Sequence, residues 1–282
     1  MNSKVFSKIS KNVFSIYDGE KFVYEGSVLN KTDGKIIRII HELMVGTDYR
    51  GLYKNSLNGL ITDCKHIVNK YNKRDFDNLI TIMHNDKYIK IIEKSKDRFV
   101  IDTDNLFNIA EEYGYTILEE KELNIIDNIS NNNKTRNNLL KCYMFIKTMC
   151  HKRKDNSQAG LIYNLETQSI TMDYNYISKF TGIGNVYNCI TMLKEYNLIN
   201  YDNFLEAPIN NKTAKRDSKN TYVVRALEED WNIELMNEEL KYAVKQYKKI
   251  REEEGYVVSN KYINNNKAEN GRKGRLKQLK NK

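Results

Sequence analysis

The chain reads as a mostly helical α+β protein built from two copies of one module. Three observations carry that reading. Apolar residues recur at helical spacing along most of the sequence, broken by short alternating stretches. One proline in 282 residues argues against collagen-like, proline-rich or loop-based architectures. Residues 76–89 lie over residues 186–199 at a constant offset of 110 with no gap. Asn78/Asn188, Ile80/Ile190, Thr81/Thr191 and Ile89/Ile199 are identical, and apolar positions match apolar positions.

The elements follow in order. Around Val13, Phe14, Ile16, Phe22, Val23 and Tyr24 polar and apolar residues alternate, with Asp18-Gly19 between them, a hairpin signal. Ile36, Ile37, Ile40, Leu43 and Met44 mark a first helix. Ser56 is placed to cap a second, carrying Leu57, Leu60, Ile61 and Cys64. Phe76, Leu79, Ile80 and Met83 mark a third. Residues 88–92 and 98–101 read as strands joined by a polar turn. The plan then repeats. Leu139, Leu140, Tyr143, Ile146 and Met149 mark a helix, and residues 170–172 are extended. Asp173 caps a helix with Tyr176, Ile177 and Phe180, and a Gly182/Gly184 turn leads to a third with Val186, Cys189, Ile190 and Leu193. Strands are expected at 198–201 and 221–225, with a long basic loop at 210–220. The polar run 130–134 suits a loop between domains. The expected division is an N-terminal β-hairpin extension at 1–33, modules at 34–130 and 131–227, a C-terminal helix at 228–263, and a basic disordered tail at 264–282.

Charge narrows the partners. The net charge is +9, and between Lys267 and Lys282 seven basic residues face one acid, so the tail holds six of those nine charges. Such a tail, including Arg272, Lys273 and Arg275, suits contact with a polyanion; the alternative is a solubilising terminus. With 40% hydrophobic and 29% charged residues the chain can bury real cores. No apolar run is long enough for a membrane span, and residues 1–11 lack the apolar core of a signal peptide, so a cytoplasmic location is expected. Cys64, Cys142, Cys150 and Cys189 form no Cys-x-x-Cys pair and read as small buried apolar residues. His41, His66, His84 and His151 share no motif, so no metal site is expected.

Three helices followed by a two-stranded hairpin is the winged-helix plan. A tight turn lets two short helices cross steeply, and the third can then enter a major groove. With Val186, Ile190 and Leu193 packed inward, the opposite face would show Asn185, Tyr187, Asn188, Thr191 and Lys194. Asn can pair with adenine and Thr can touch a thymine methyl. Lys212, Lys215, Arg216 and Lys219 at the hairpin tip would grip phosphates.

Tyr176-Ile-Ser-Lys-Phe-Thr-Gly-Ile-Gly-Asn-Val-Tyr-Asn-Cys-Ile-Thr-Met-Leu-Lys-Glu-Tyr-Asn-Leu-Ile199 resembles the helix-turn-helix core of bacterial winged-helix proteins. There a Thr-Gly turn leads to a recognition helix, and Leu-x-x-x-x-Leu-Ile leads into the wing. Ser218-Lys-Asn-Thr-Tyr-Val-Val224 resembles the strand returning from the wing. The resemblance covers residues 139–226. Two such modules in one chain are similar to plasmid and phage replication initiators and to DnaD-type replication proteins. That resemblance implies origin DNA as partner, with recruitment of host replication proteins. The first copy lacks the Thr-Gly turn and has Tyr71-Asn-Lys-Arg-Asp75 instead. Lys73, Arg74 and Asn78 are its candidate DNA contacts, while Asp75 and Asp77 would repel phosphate. It therefore has two readings, DNA contact or dimerisation.

Enzymatic signatures are missing. Gly34-Lys35 lacks the upstream glycine of a P-loop, and no His-x-His metal pair occurs. No catalytic residue and no cofactor is expected. The expected function is sequence-specific binding of double-stranded DNA, as a plasmid or phage replication initiator. The alternatives are a winged-helix transcriptional regulator and a protein-binding assembly factor. A homodimer is a further expectation, and a membrane is not an expected partner.

Overall fold

The computed structural model describes residues 6–17, 20, 22–64, 73–95, 97–152, 168–224 and 233–261. The chain is α+β, predominantly helical, with small antiparallel sheets.

The N-terminal segment holds β1 (Phe6–Ser10), β2 (Ile16–Tyr17), β3 (Phe22–Val23) and α1 (Val28–Thr32). β2 and β3 do pair antiparallel, as the alternation around Asp18-Gly19 implies. The segment is nevertheless no separate hairpin extension. β1 pairs with a strand more than a hundred residues later, and α1 is capped by Ser27, whose hydroxyl accepts from the Asn30 N–H at 3.2 Å. β1 lies ahead of the alternating stretch, and its partner is set by packing far along the chain.

The first copy follows as α2 (Lys35–Gly46), β4 (Leu52–Asn55), α3 (Leu57–Asp63), α4 (Lys73–Asn85), β5 (Lys90–Lys94) and β6 (Phe99–Asp102), with sheet order β4-β6-β5. Ser56 caps α3 by accepting from the Gly59 N–H at 2.9 Å. After it come α5 (Asp104–Tyr113), β7 (Tyr115–Glu119) and α6 (Glu120–Ile129), none of which the periodicity singled out. β7 is the partner of β1, from Phe6 opposite Glu119 to Ser10 opposite Tyr115.

The second copy contains α7 (Asn133–Met149), β8 (His151–Lys152), β9 (Gln168–Met172), α8 (Tyr174–Thr181), α9 (Val186–Glu195), β10 (Ile199–Asp202), β11 (Leu205–Pro208), β12 (Arg216–Asp217) and β13 (Asn220–Val224). The main sheet has the order β10-β13-β9-β8. Three of its strands repeat the order of the first sheet, β9-β13-β10 matching β4-β6-β5.

The 110-residue offset extends to the backbone. Lys87 and Asn197, which the offset superposes, both take a left-handed conformation, with φ of 62° and 56°. Each lies in a turn that closes identically. The Tyr88 N–H donates to Met83 O and the Leu198 N–H to Leu193 O, both at 2.9 Å. The Thr81 and Thr191 hydroxyls donate to the carbonyls of Asp77 and Tyr187, at 2.8 and 2.9 Å. Phe76, Leu79, Ile80 and Met83 are buried, as are Val186, Cys189, Ile190 and Leu193.

The stretch expected to separate domains is a tight corner. Only residues 130–132 join α6 to α7. Asn132 caps α7 by accepting from the Thr135 N–H at 3.1 Å, and the Arg136 Nε donates to the carbonyls of Ser130 (2.5 Å) and Asp127 (2.9 Å). One hydrophobic core runs through both copies, from Ile9 to Val224. α7 is its axis, buried without interruption from Leu139 to Thr148. Phe145 on α7 meets Phe14 of the N-terminal segment at 5.7 Å and Phe180 of α8 at 5.6 Å between ring centroids. A helix buried all round cannot show a single apolar stripe, so the sequence pattern recorded only part of its buried surface.

The C-terminal helix is shorter than expected. α10 (Ile233–Glu253) ends before β14 (Tyr256–Ser259), which turns back and pairs with β11. The expected long basic loop also contains structure, because β12, β11 and β14 form a separate three-stranded sheet. α10 lies on the outer face of the main sheet, over a second cluster of Phe204, Val223, Met236, Leu240 and Val244. Tyr222 and Val224 of β13 join the main core, whereas Val223 between them joins this cluster. The period of two thus feeds two cores from one strand.

Candidate nucleic-acid interface

α8 begins where Asp173 accepts from the Tyr176 N–H at 2.7 Å and ends at Gly182, whose φ is +66°. A Cβ at Gly182 would lie 2.8 Å from the Tyr24 hydroxyl. Gly182 is therefore required by both backbone and packing. Gly184 is not: it has no left-handed φ and open space around its α-carbon.

α9 packs Val186, Cys189, Ile190 and Leu193 inward. Its opposite side carries Tyr187, Asn188 and Lys194, all exposed, with Thr191 half-buried. Their roles differ. The Asn185 side-chain oxygen caps the helix by accepting from the Asn188 N–H at 3.2 Å. The Asn188 side chain stays exposed. Tyr187 stands edge-on to Tyr174, with centroids 6.1 Å apart. The Lys194 ammonium donates to Tyr201 O at 3.1 Å and lies 4.6 Å from the Tyr201 ring centroid. Part of its charge is thus already engaged.

On the hairpin side, Lys212, Lys215 and Lys219 are exposed and make no ion pair among the described residues. Arg216 is also exposed but is ion-paired. Its Nε donates to Glu206 at 3.0 Å, and its guanidinium lies 5.5 Å from the Tyr256 ring. Arg251 of α10 also binds Glu206, at 2.7 Å through Nε, and stacks on Tyr256 at 3.7 Å. Glu206 is only 4% exposed. This clamp ties β11, β12, β14 and α10 together and fixes the base of the lysine-bearing segment. Nothing in the sequence singles out Glu206 or Tyr256, and there Arg216 reads as a phosphate contact. The one available signal was an acid in the apolar context Leu205-Glu206-Ala207.

In the first copy, Lys73, Arg74 and Asn78 are exposed on α4. Asp77 is held by the Lys94 ammonium at 2.6 Å, which partly offsets its repulsion of phosphate. Arg272, Lys273 and Arg275 of the tail, and Trp231 ahead of α10, lie outside the described residues.

The cysteines pack as apolar residues. Cys64, Cys142 and Cys189 are buried and Cys150 is partly buried, all as free thiols. Burial pushes the Cys189 thiol up to about 11, far from a reactive thiolate. His41 is buried beside Ser7, with Nδ1 and Oγ 3.0 Å apart. Among the described residues no group of three or more His, Cys, Asp or Glu could hold a metal ion, and no helix is long and apolar enough to cross a membrane.

Compared with protein-family models and with curated proteins, the chain matches none.

Proposed function

We propose that the chain is a sequence-specific binder of double-stranded DNA, built on two winged-helix modules, and that it serves as a plasmid or phage replication initiator. The observation that carries this reading is the third helix of each copy. α4 and α9 each seal one face into the common core and leave a polar face exposed. Each also follows a helix, a strand and a second helix and precedes two further main-sheet strands, with β4 pairing β6 in one copy and β9 pairing β13 in the other. That arrangement presents a helix to a major groove with a hairpin beside it. In the second copy Tyr187, Asn188 and Thr191 would face base edges. Lys212, Lys215 and Lys219 would hold phosphates, with the tail adding sequence-independent affinity. In the first copy Lys73, Arg74 and Asn78 would make the corresponding contacts. Replication is favoured over transcription by the tandem copies, because an initiator meets repeated sites whereas a dimeric regulator meets a palindrome.

The test is selection of bound sequences from random duplex DNA, with the full chain and with a variant ending before Lys267. Recovery of one motif by both proteins is the expected result, with direct repeats for an initiator. A palindromic motif would transfer the reading to a regulator. No enrichment with either protein would overturn sequence-specific binding and favour a protein-binding role.

A further inference from the structure

The exposed stripe of α9 does not stop at the end of that helix. Tyr187, Thr191 and Lys194 follow one another at four- and three-residue steps, and Lys194 then forms the lip of an open cleft of about 730 Å³ between β10 and α10. Five lysines line this cleft, Lys194, Lys241, Lys245, Lys248 and Lys249, against two carboxylates, Asp202 and Glu252. Four of the lysines fall on one side of α10, because Lys241, Lys245 and Lys249 step by four residues and Lys248 lies three after Lys245. Like charges at such spacing repel, so the fold gains nothing from aligning them.

Most of this charge is unused by the protein. Lys241, Lys245 and Lys249 make no ion pair among the described residues. Lys248 donates to the Asn260 side chain at 2.6 Å. Its ammonium also lies 5.5 Å from the Phe204 ring centroid, and Arg251 of α10 is turned to Glu206 and Tyr256. The walls also limit what the cleft can recognise. Tyr201 is its aromatic residue, and the Lys194 ammonium covers that ring at 4.6 Å. The cleft thus offers little aromatic surface for base stacking, and its five lysines favour a ligand held through negative charge.

The geometry points to the cleft between β10 and α10 as a second nucleic-acid site, where the α10 lysines hold the phosphodiester backbone of the duplex flanking the stretch that α9 contacts. This rests on the duplex-binding reading above and adds to it a named set of phosphate contacts outside the helix and hairpin. A chain bound there would also relieve the repulsion along α10.

The experiment uses the full chain and fluorescence anisotropy with a random-sequence duplex and a single strand of the same length, titrated over salt. The variant is Lys241→Gln/Lys245→Gln/Lys249→Gln, with thermal melting as the check on folding. Asn188→Ala is the comparison. Loss of three phosphate contacts is expected to lower the slope of log K against log salt on duplex by about 2 to 3 and to weaken binding at least tenfold. Asn188→Ala is expected to leave the slope on random duplex unchanged. A wild-type slope in the lysine variant, with binding by the wild type intact, overturns the cleft and leaves the duplex reading standing. A change confined to single-stranded DNA overturns the duplex-flank assignment. Absence of duplex binding by the wild type at low salt overturns both readings.

Discussion

Replacing Lys147 by Met would strip a buried carboxylate of its cation. Glu122 is 1% exposed and Lys147 2%. The carboxylate accepts from the Lys147 ammonium at 2.7 and 2.9 Å, from the Tyr143 hydroxyl at 2.5 Å and from the Glu119 N–H at 3.0 Å. Lys147→Met keeps the apolar volume and removes two of these four bonds with the only positive charge among them. Breaking a buried pair from one side costs about 3–5 kcal/mol, against a typical total stability of about 5–15 kcal/mol. For a chain of this size that lowers Tm by about 6–20 °C. The Glu122→Gln/Lys147→Met double variant removes both charges and is expected to recover most of the loss. The assay is urea unfolding followed by circular dichroism at pH 7, with both single variants and the double variant in one cycle. A single-variant loss below about 1 kcal/mol, or additive losses in the double variant, would refute the view that this pair is a desolvated unit at the junction of α6 and α7.

Four further outcomes are expected. Gly34→Ala should cost about 2 kcal/mol or more, because Gly34 has φ of +77° and a Cβ there would lie 2.4 Å from the Lys141 Cγ, whereas Gly184→Ala should be neutral; chemical denaturation compares them. Burial and the Arg38 charge lower the His41 pKa from 6.5 to about 4, so its contribution is complete above pH 6.5 and lost as pH falls through about 4. That loss is on the order of 3 kcal/mol, and His41→Phe should flatten it in a series of urea melts from pH 7 to 4. Glu42 acts oppositely: burial raises its pKa from 4.5 to about 7, its contribution fades as pH rises through about 7, and Glu42→Gln should gain stability at pH 8. Glu206→Gln should loosen β12 and β14, seen as faster amide exchange there, while Asn188→Ala should leave those amides unchanged and relax DNA specificity at one position by about 1–3 kcal/mol.

Some of this protein was written in local sequence. The helix caps at Ser56 and Asp173 were legible because a cap needs only one side chain and a backbone N–H a few residues on. The internal repeat was legible because equal local geometry selects equal burial, and Lys87 and Asn197 carry that equality into the backbone. The polar face of α9 could be read from 3.6-residue periodicity, although the capping duty of Asn185 could not, since it depends on where the helix starts.

Other features needed distant parts of the chain. The pairing of β1 with β7, the axial position of α7 and the return of β14 onto β11 are set by contacts far apart in sequence. The buried partners of Lys141 and Lys147 are of the same kind, because a lysine in a sequence looks like surface until a fold supplies Asp33 or Glu122. The sequence by itself determined where the capped helices α3 and α8 begin, which faces of α4 and α9 turn inward and that one module occurs twice, since each depends on neighbours within a few residues. Tertiary structure alone decided that both copies share one core, that Arg216 pairs with Glu206, and that the lysines of α10 face a cleft beside α9. Burial and charge pairing across the chain are properties of packing, and packing joins residues that no local spacing relates.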